Sequence, residues 1–343
     1  MSESVEAFVR GLPKAELHLH LQGAASVPTV LELARRHPQL GVPVDEAALR
    51  DFYAFTDFAH FIDVYISVNR LVRTAADVQA LVTGLGRDLA QTRVRYAEVT
   101  VTPVSHLQMG IAPEAVTEAL EQGRAEVLAE HGVELAWIFD IPGEQGRPAG
   151  VSTLDWVERH RPEHSVGFGL GGPEIGVPRA QFRDVFARAA DLGLQCVPHA
   201  GESTGPQTVR DALDLLGAVR IGHGISAAQD RDLMAELVER DVVLEVCPTS
   251  NLRTQVVQRI EEHPFPVLRE AGVRVTLNTD DPGMFDTDLN QEFLTAHRVF
   301  GLDVPALTEI AREAVRASFA GTATRARLLD EIDAYAGVER SLS

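Results

Sequence analysis

Lysine is almost missing from this chain. Lys14 is the single example in 343 residues, and the remaining basic side chains are arginines and histidines. Codon bias in a GC-rich genome accounts for this, but the absence also removes lysine from any ligand set built later in the chain. Cysteine is nearly as scarce: Cys196 and Cys247 both sit in apolar, strand-like runs and read as reduced core residues of a cytoplasmic protein, not as a disulfide. No apolar stretch reaches the roughly 18 residues of a membrane span, and no basic-then-apolar leader opens the chain. Positive charge is in deficit as well. A net charge of −19 argues against a nucleic-acid backbone or an anionic membrane as the main partner and leaves a small molecule. There is no internal repeat, low-complexity tract or long linker, so residues 1–343, 45% of them hydrophobic, are read as one domain.

Short apolar runs with the look of buried parallel strands occur at 15–21, 95–101, 133–140, 165–170, 194–199, 219–223, 242–247 and 273–279. Helical stretches such as 113–131, 178–192, 227–240 and 262–271 lie between them. Eight strands alternating with helices predict a (β/α)8 TIM barrel of the α/β class. The segment at about 25–93 breaks the alternation and reads as a helical insertion after the first strand. Such an insertion lies at the catalytic face and is expected to act as a lid, with Phe52, Tyr53, Phe55, Phe58, Phe61 and Tyr65 as an aromatic cluster that packs it down. Residues 303–335 read as terminal helices closing the barrel.

The run Glu16-Leu17-His18-Leu19-His20-Leu21-Gln22-Gly23 carries the first chemical signal. In an extended strand, His18 and His20 point to one face and the three leucines to the other. Further polar residues stand at the ends of later strands: His199 and Glu202 after the fifth, His223 after the sixth, Asp280 and Asp281 after the eighth. The C-terminal ends of barrel strands converge on one pocket, although these residues span most of the sequence. His18, His20, His199 and Asp280 form a ligand set suited to one zinc or a similar first-row ion with an open position for water. Strand four, Ser165–Leu170, offers neither lysine nor carboxylate for a second, bridged metal. A water on such a metal has its pKa lowered towards about 7. Glu202, His223 and Asp281 remain for proton handling: Glu202 as general acid to a substrate nitrogen, His223 to orient or deprotonate the water, and Asp281 as a hydrogen-bond acceptor.

Taken together, the motifs Pro13-Lys14-Ala15-Glu16-Leu17-His18-Leu19-His20, His199-Ala200-Gly201-Glu202, Gly222-His223-Gly224, Glu245-Val246-Cys247-Pro248 with Thr249-Ser250-Asn251, and Asn278-Thr279-Asp280-Asp281-Pro282 resemble, in order, those of the adenosine deaminase family of the amidohydrolase superfamily. The resemblance implies a barrel with one zinc that replaces the exocyclic amine of a 6-aminopurine by oxygen. It implies that Glu202 protonates purine N1, that His223 assists the hydroxide, and that Asp281 contacts the hydroxide and purine N7. The Gly171-Gly172-Pro173-Glu174 turn resembles the family's purine-binding turn, where the backbone of Gly172 would meet N3.

Departures from the family pattern bear on the substrate. Classical adenosine deaminases carry an acidic residue for the ribose 5′-hydroxyl where this chain has Gln22. An amide both donates and accepts, so it does not demand a free hydroxyl donor. Members that deaminate aminodeoxyfutalosine, a 5′-modified adenine nucleoside of the menaquinone pathway, would suit Gln22 and an aromatic lid. Ordinary adenosine deamination, adenine deamination and another mononuclear amidohydrolase stay open as alternatives. The sequence leaves homo-oligomer formation undecided. His37, His60, His106, His131, His160, His164, His263 and His297 have no motif context and read as surface or structural residues.

Overall fold

The computed structural model describes residues 2–53 and 58–342, with side chains described for 5–53 and 63–337. Eight parallel strands run in sequence order around one sheet: β1 (Lys14–His20), β2 (Val94–Val101), β3 (Glu134–Pro142), β4 (Ser165–Gly171), β5 (Gln195–Ala200), β6 (Arg220–His223), β7 (Val243–Val246) and β8 (Arg274–Leu277). Helices lie between successive strands, as in a (β/α)8 barrel. The strands stand where their apolar runs place them, because a parallel strand buried on both faces reads as continuous hydrophobic sequence. β8 ends at Leu277, earlier than its apolar run, and Asp280 beyond it, in a left-handed backbone (φ 66°), makes an isolated bridge to Leu19.

The barrel closes between β8 and β1 by individual bonds instead of a regular ladder. Leu17 N–H donates to Asn278 Oδ1 (3.0 Å), Asp280 N–H to the His18 carbonyl (3.1 Å) and His20 N–H to the Asp280 carbonyl (2.9 Å). The seam is therefore made from the residues that carry the chemistry. Leu17, Leu19 and Leu21 are buried on the outer side of β1, as the alternation requires.

Between β1 and β2 the structure has helices Val27–Arg36, Glu46–Phe52, Phe58–Asn69 and Ala75–Gln91. The last packs on β2 and on helix Pro113–His131, in the position of a barrel helix, so the first three stand outside the alternation. Of the aromatic cluster, Phe52, Tyr53 and Tyr65 pack against the core; Phe55 and the side chains of Phe58 and Phe61 lie outside the described residues. Lys14 is buried at the start of β1, at the end of the barrel remote from the site. There its Nζ donates to the carbonyls of Val9 (2.6 Å), Leu12 (2.8 Å) and Thr92 (3.1 Å), tying down the N-terminal helix. Cys196 and Cys247 are buried and unbridged. No helix among the described residues is long and apolar enough to cross a membrane.

Candidate active site

The strand ends bring His18, His20, His199, His223, Glu202, Asp280 and Asp281 together at one mouth of the barrel. Ligand atoms of His18, His199, His223 and Asp280 all lie within 4.8 Å of one another. His20 belongs to the same group, its Nε2 lying 3.2 Å from His199 Nε2 and 3.2 Å from Asp280 Oδ1. Gly222 makes this approach possible: a Cβ there would come within 2.7 Å of His18 Cε1 and 3.2 Å of His199 Cγ. His223 and Asp280 both hold positive φ (61° and 66°), a conformation uncommon for non-glycine residues and concentrated at functional sites.

The residues fit a cation. His18 Nδ1 donates to Glu245 Oε2 (2.8 Å), which leaves its Nε2 lone pair aimed into the cluster, and that buried Nε2 has no hydrogen-bond partner among the described residues. Burial opposes charge on His18, yet Asp280 and Glu245 outweigh it and raise its pKa to about 10; Asp280 does the same for His20, to about 9. The site thus demands positive charge at these two imidazoles, a demand a divalent metal meets without protons. His199, by contrast, is held well below its ordinary value by burial and the neighbouring imidazoles, as suits a neutral ligand.

Several residues that the sequence reading left without a role hold this arrangement. Ser250 Oγ donates to Asp280 Oδ2 (2.6 Å), and Thr279 donates to buried Glu16 through both N–H (3.0 Å) and Oγ1 (2.5 Å). Behind His18, Glu245 accepts from Arg220 Nε (2.6 Å), and Arg220 continues to Glu98 and to the Ala317 carbonyl (2.8 Å) while lying over the Phe319 ring. A buried charge chain therefore links the candidate ligand to the C-terminal segment. Glu16, Glu245, Ser250 and Thr279 lie within the motifs that resemble the family's, whereas Arg220 and Glu98 carried no signal in the sequence.

Glu202 lies beyond the cluster, Oε2 3.7 Å from His223 Nε2, and burial together with Asp280 and Glu174 pushes its pKa up to about 8. Its loop is clamped by Glu174, whose carboxylate accepts from the backbone of Gly201 (2.7 Å), Ser203 (2.6 Å) and Thr204 (3.2 Å). Arg179, buried beside Glu174, donates to it (3.1 Å) and to the His199 carbonyl (2.9 Å). Asp281 is raised to about 7 by burial and by Asp280, and its buried Oδ1 has no partner among the described residues. Gly172 adopts φ 78° in the turn after β4, where a Cβ would meet the Glu144 carboxylate at 2.5 Å. Gln22 is half-buried just past β1, its side-chain amide without a partner among the described residues.

A parallel eight-stranded barrel with imidazoles and carboxylates gathered at its C-terminal mouth defines a hydrolase of the amidohydrolase type. The family is shown by direct comparison: the adenosine deaminase family model matches residues 13–335, and the chain belongs to that family of deaminases. The chain is 53% identical to an aminodeoxyfutalosine deaminase of Streptomyces coelicolor, over 96% of this chain and 86% of that one. Its fold is similar to that of an adenine deaminase from Arthrobacter aurescens (TM-score 0.89, 32% identity, 95% of this chain and 99% of that one). It is also similar to an amidohydrolase from Burkholderia ambifaria solved with bound zinc (TM-score 0.88, 25% identity, 99% and 96% coverage).

Proposed function

We propose that this protein is a zinc-dependent hydrolytic deaminase of an adenine nucleoside, giving the 6-oxopurine nucleoside and ammonia, and that its nucleoside is 5′-modified, of the aminodeoxyfutalosine kind. The observation that carries the chemistry is the convergence of His18, His20, His199 and Asp280 with a protonatable Glu202 at one barrel mouth. His18, His20, His199 and Asp280 would hold one zinc, which supplies Lewis acidity that makes a water nucleophilic at neutral pH. Zinc in a relative of the same fold supports that identity.

Glu202, with its pKa near 8, is protonated at neutral pH and would give its proton to purine N1, drawing electrons from C6. Asp281 would accept hydrogen bonds at the reacting face and near N7. The N–H of Gly172 would meet N3. His223, facing both Glu202 and Asp280, would assist the attacking oxygen.

The substrate assignment is supported by the relative at 53% identity and by the neutral Gln22. Helices Val27–Arg36, Glu46–Phe52 and Phe58–Asn69 would form the lid over this ligand. Tyr65 on the third of these helices supports their placement, since it packs against the core and lies near Asp281. Adenine deamination is the second reading, favoured by the Arthrobacter relative.

The test compares ammonia release from adenine, adenosine, 5′-deoxyadenosine analogues and aminodeoxyfutalosine by the metal-loaded enzyme. The expected order puts aminodeoxyfutalosine first. A strong preference for adenosine or adenine would overturn the reading of Gln22, and no release from any of them would overturn the reaction.

A further inference from the structure

His263 has no motif around it in the sequence, yet it is buried (3% exposed) and joined to the site by consecutive hydrogen bonds. The backbone N–H of Phe265 donates to His263 Nδ1 (3.1 Å). His263 Nε2 lies 3.1 Å from Asn251 Oδ1, and Asn251 Nδ2 lies 3.2 Å from His223 Nδ1. Asn251 and His223 are as deeply buried as His263.

The order of donors and acceptors along this path has one solution. A backbone amide only donates, so His263 Nδ1 presents a lone pair. Burial keeps His263 neutral, with its pKa down to about 4, and its one proton is then on Nε2. That N–H needs an acceptor, which turns Asn251 Oδ1 towards His263 and the Asn251 amide N–H towards His223. The reverse orientation of the amide would set two donors against each other at His263. His223 Nδ1 is therefore an acceptor, and the proton of the neutral ring is on Nε2. This Nε2–H faces Glu202 Oε2 at 3.7 Å and Asp280 Oδ2 at 3.8 Å.

We propose that Asn251 and His263 are positioning residues that hold His223 as its Nε2–H tautomer, so that His223 meets the reacting centre as a hydrogen-bond donor and not as a proton acceptor. The inference rests on the reading of this mouth as a deaminase site. It decides between the two roles the sequence left open for His223: the ring orients the attacking oxygen and stabilises its charge, and proton uptake falls to the carboxylates. His263, read from sequence as structural or superficial, is the far end of that arrangement.

Histidine 15N chemical shifts of the zinc-loaded protein test it, because protonated and bare imidazole nitrogens resonate far apart; His223→Asn assigns the signals. The expected wild-type pattern is a bare Nδ1 and a protonated Nε2 at His223. Asn251→Asp replaces the donor by an acceptor, so the proton should move to Nδ1 and kcat should fall by about 100-fold with KM within about threefold, the scale of a misplaced acid–base proton. His263→Gln, whose amide can still donate to Asn251, should keep kcat within about fivefold and preserve the wild-type shifts. A bare Nε2 in the wild type, or wild-type turnover in Asn251→Asp after the proton has moved, would overturn the proposal. Failure of the underlying site reading looks different: His223→Asn itself would then turn over normally.

Discussion

His18 and Glu245, separated by 227 positions in the chain, meet through a 2.8 Å hydrogen bond from Nδ1 to Oε2 that decides which nitrogen of His18 faces the site. A carboxylate can only accept, so Nδ1 carries a proton and Nε2 is the nitrogen turned to the site, 3.5 Å from Asp280 Oδ1, where a proton or a metal ion would be held. Arg220 on the far side keeps Glu245 ionised: burial raises its pKa, but the guanidinium and His18 bring it below the usual carboxylate value.

Glu245→Gln should therefore weaken metal binding by about 10- to 100-fold while leaving all four proposed ligands in the sequence. Competition with a chelator of known affinity measures this. Activity should return with excess zinc; unchanged affinity would remove Glu245 from the support of the site.

Glu202→Gln should keep its metal and lose about 100- to 10,000-fold in kcat, because an amide has no proton to give at purine N1. Elemental analysis beside steady-state kinetics separates the two effects. Near-normal turnover in this variant would reject Glu202 as the acid.

The pH profile follows from the same group. Burial and the carboxylates of Asp280 and Glu174 raise Glu202 to about 8, so the acid form is present below that pH and lost as pH rises through it. The kcat profile should show an alkaline limb near 8, and Glu202→Gln should abolish that limb.

Gly222→Ala would place a methyl group 2.7 Å from His18 Cε1, closer than packed carbons approach, so one imidazole must move. Metal content after dialysis should fall, with a loss of at least about tenfold in kcat, the cost expected of a ligand displaced by a fraction of an ångström. Full zinc retention would show that the ring can shift without harm.

Gln22→Asp should raise relative activity on adenosine and reduce it on aminodeoxyfutalosine, whose 5′ group carries a carboxylate that an introduced anion repels. The ratio of kcat/KM values should move by about 10-fold, the size of one polar contact at a partly exposed position. An unmoved ratio would leave substrate choice to the lid.

Much of the barrel was legible in the residues themselves. Strands buried on both faces read as largely apolar runs, and this located β1 to β8 even where polar residues such as His18 and His20 interrupt them. The two-residue spacing of His18 and His20 likewise put both imidazoles on one face before any contact was known. What local sequence could not carry was the support behind those side chains. Arg220 and Glu245 sit on neighbouring strands distant in sequence from Glu98, which becomes their partner only when the sheet curves into a barrel. His263 carries no signal of its own, because its part depends on Asn251 standing between it and His223. Residue identity and strand period thus determined the class of chemistry and the atoms able to perform it. Proton placement and ligand orientation were decided by the tertiary structure, since hydrogen-bond direction is a property of pairs and folding alone brings the pairs together.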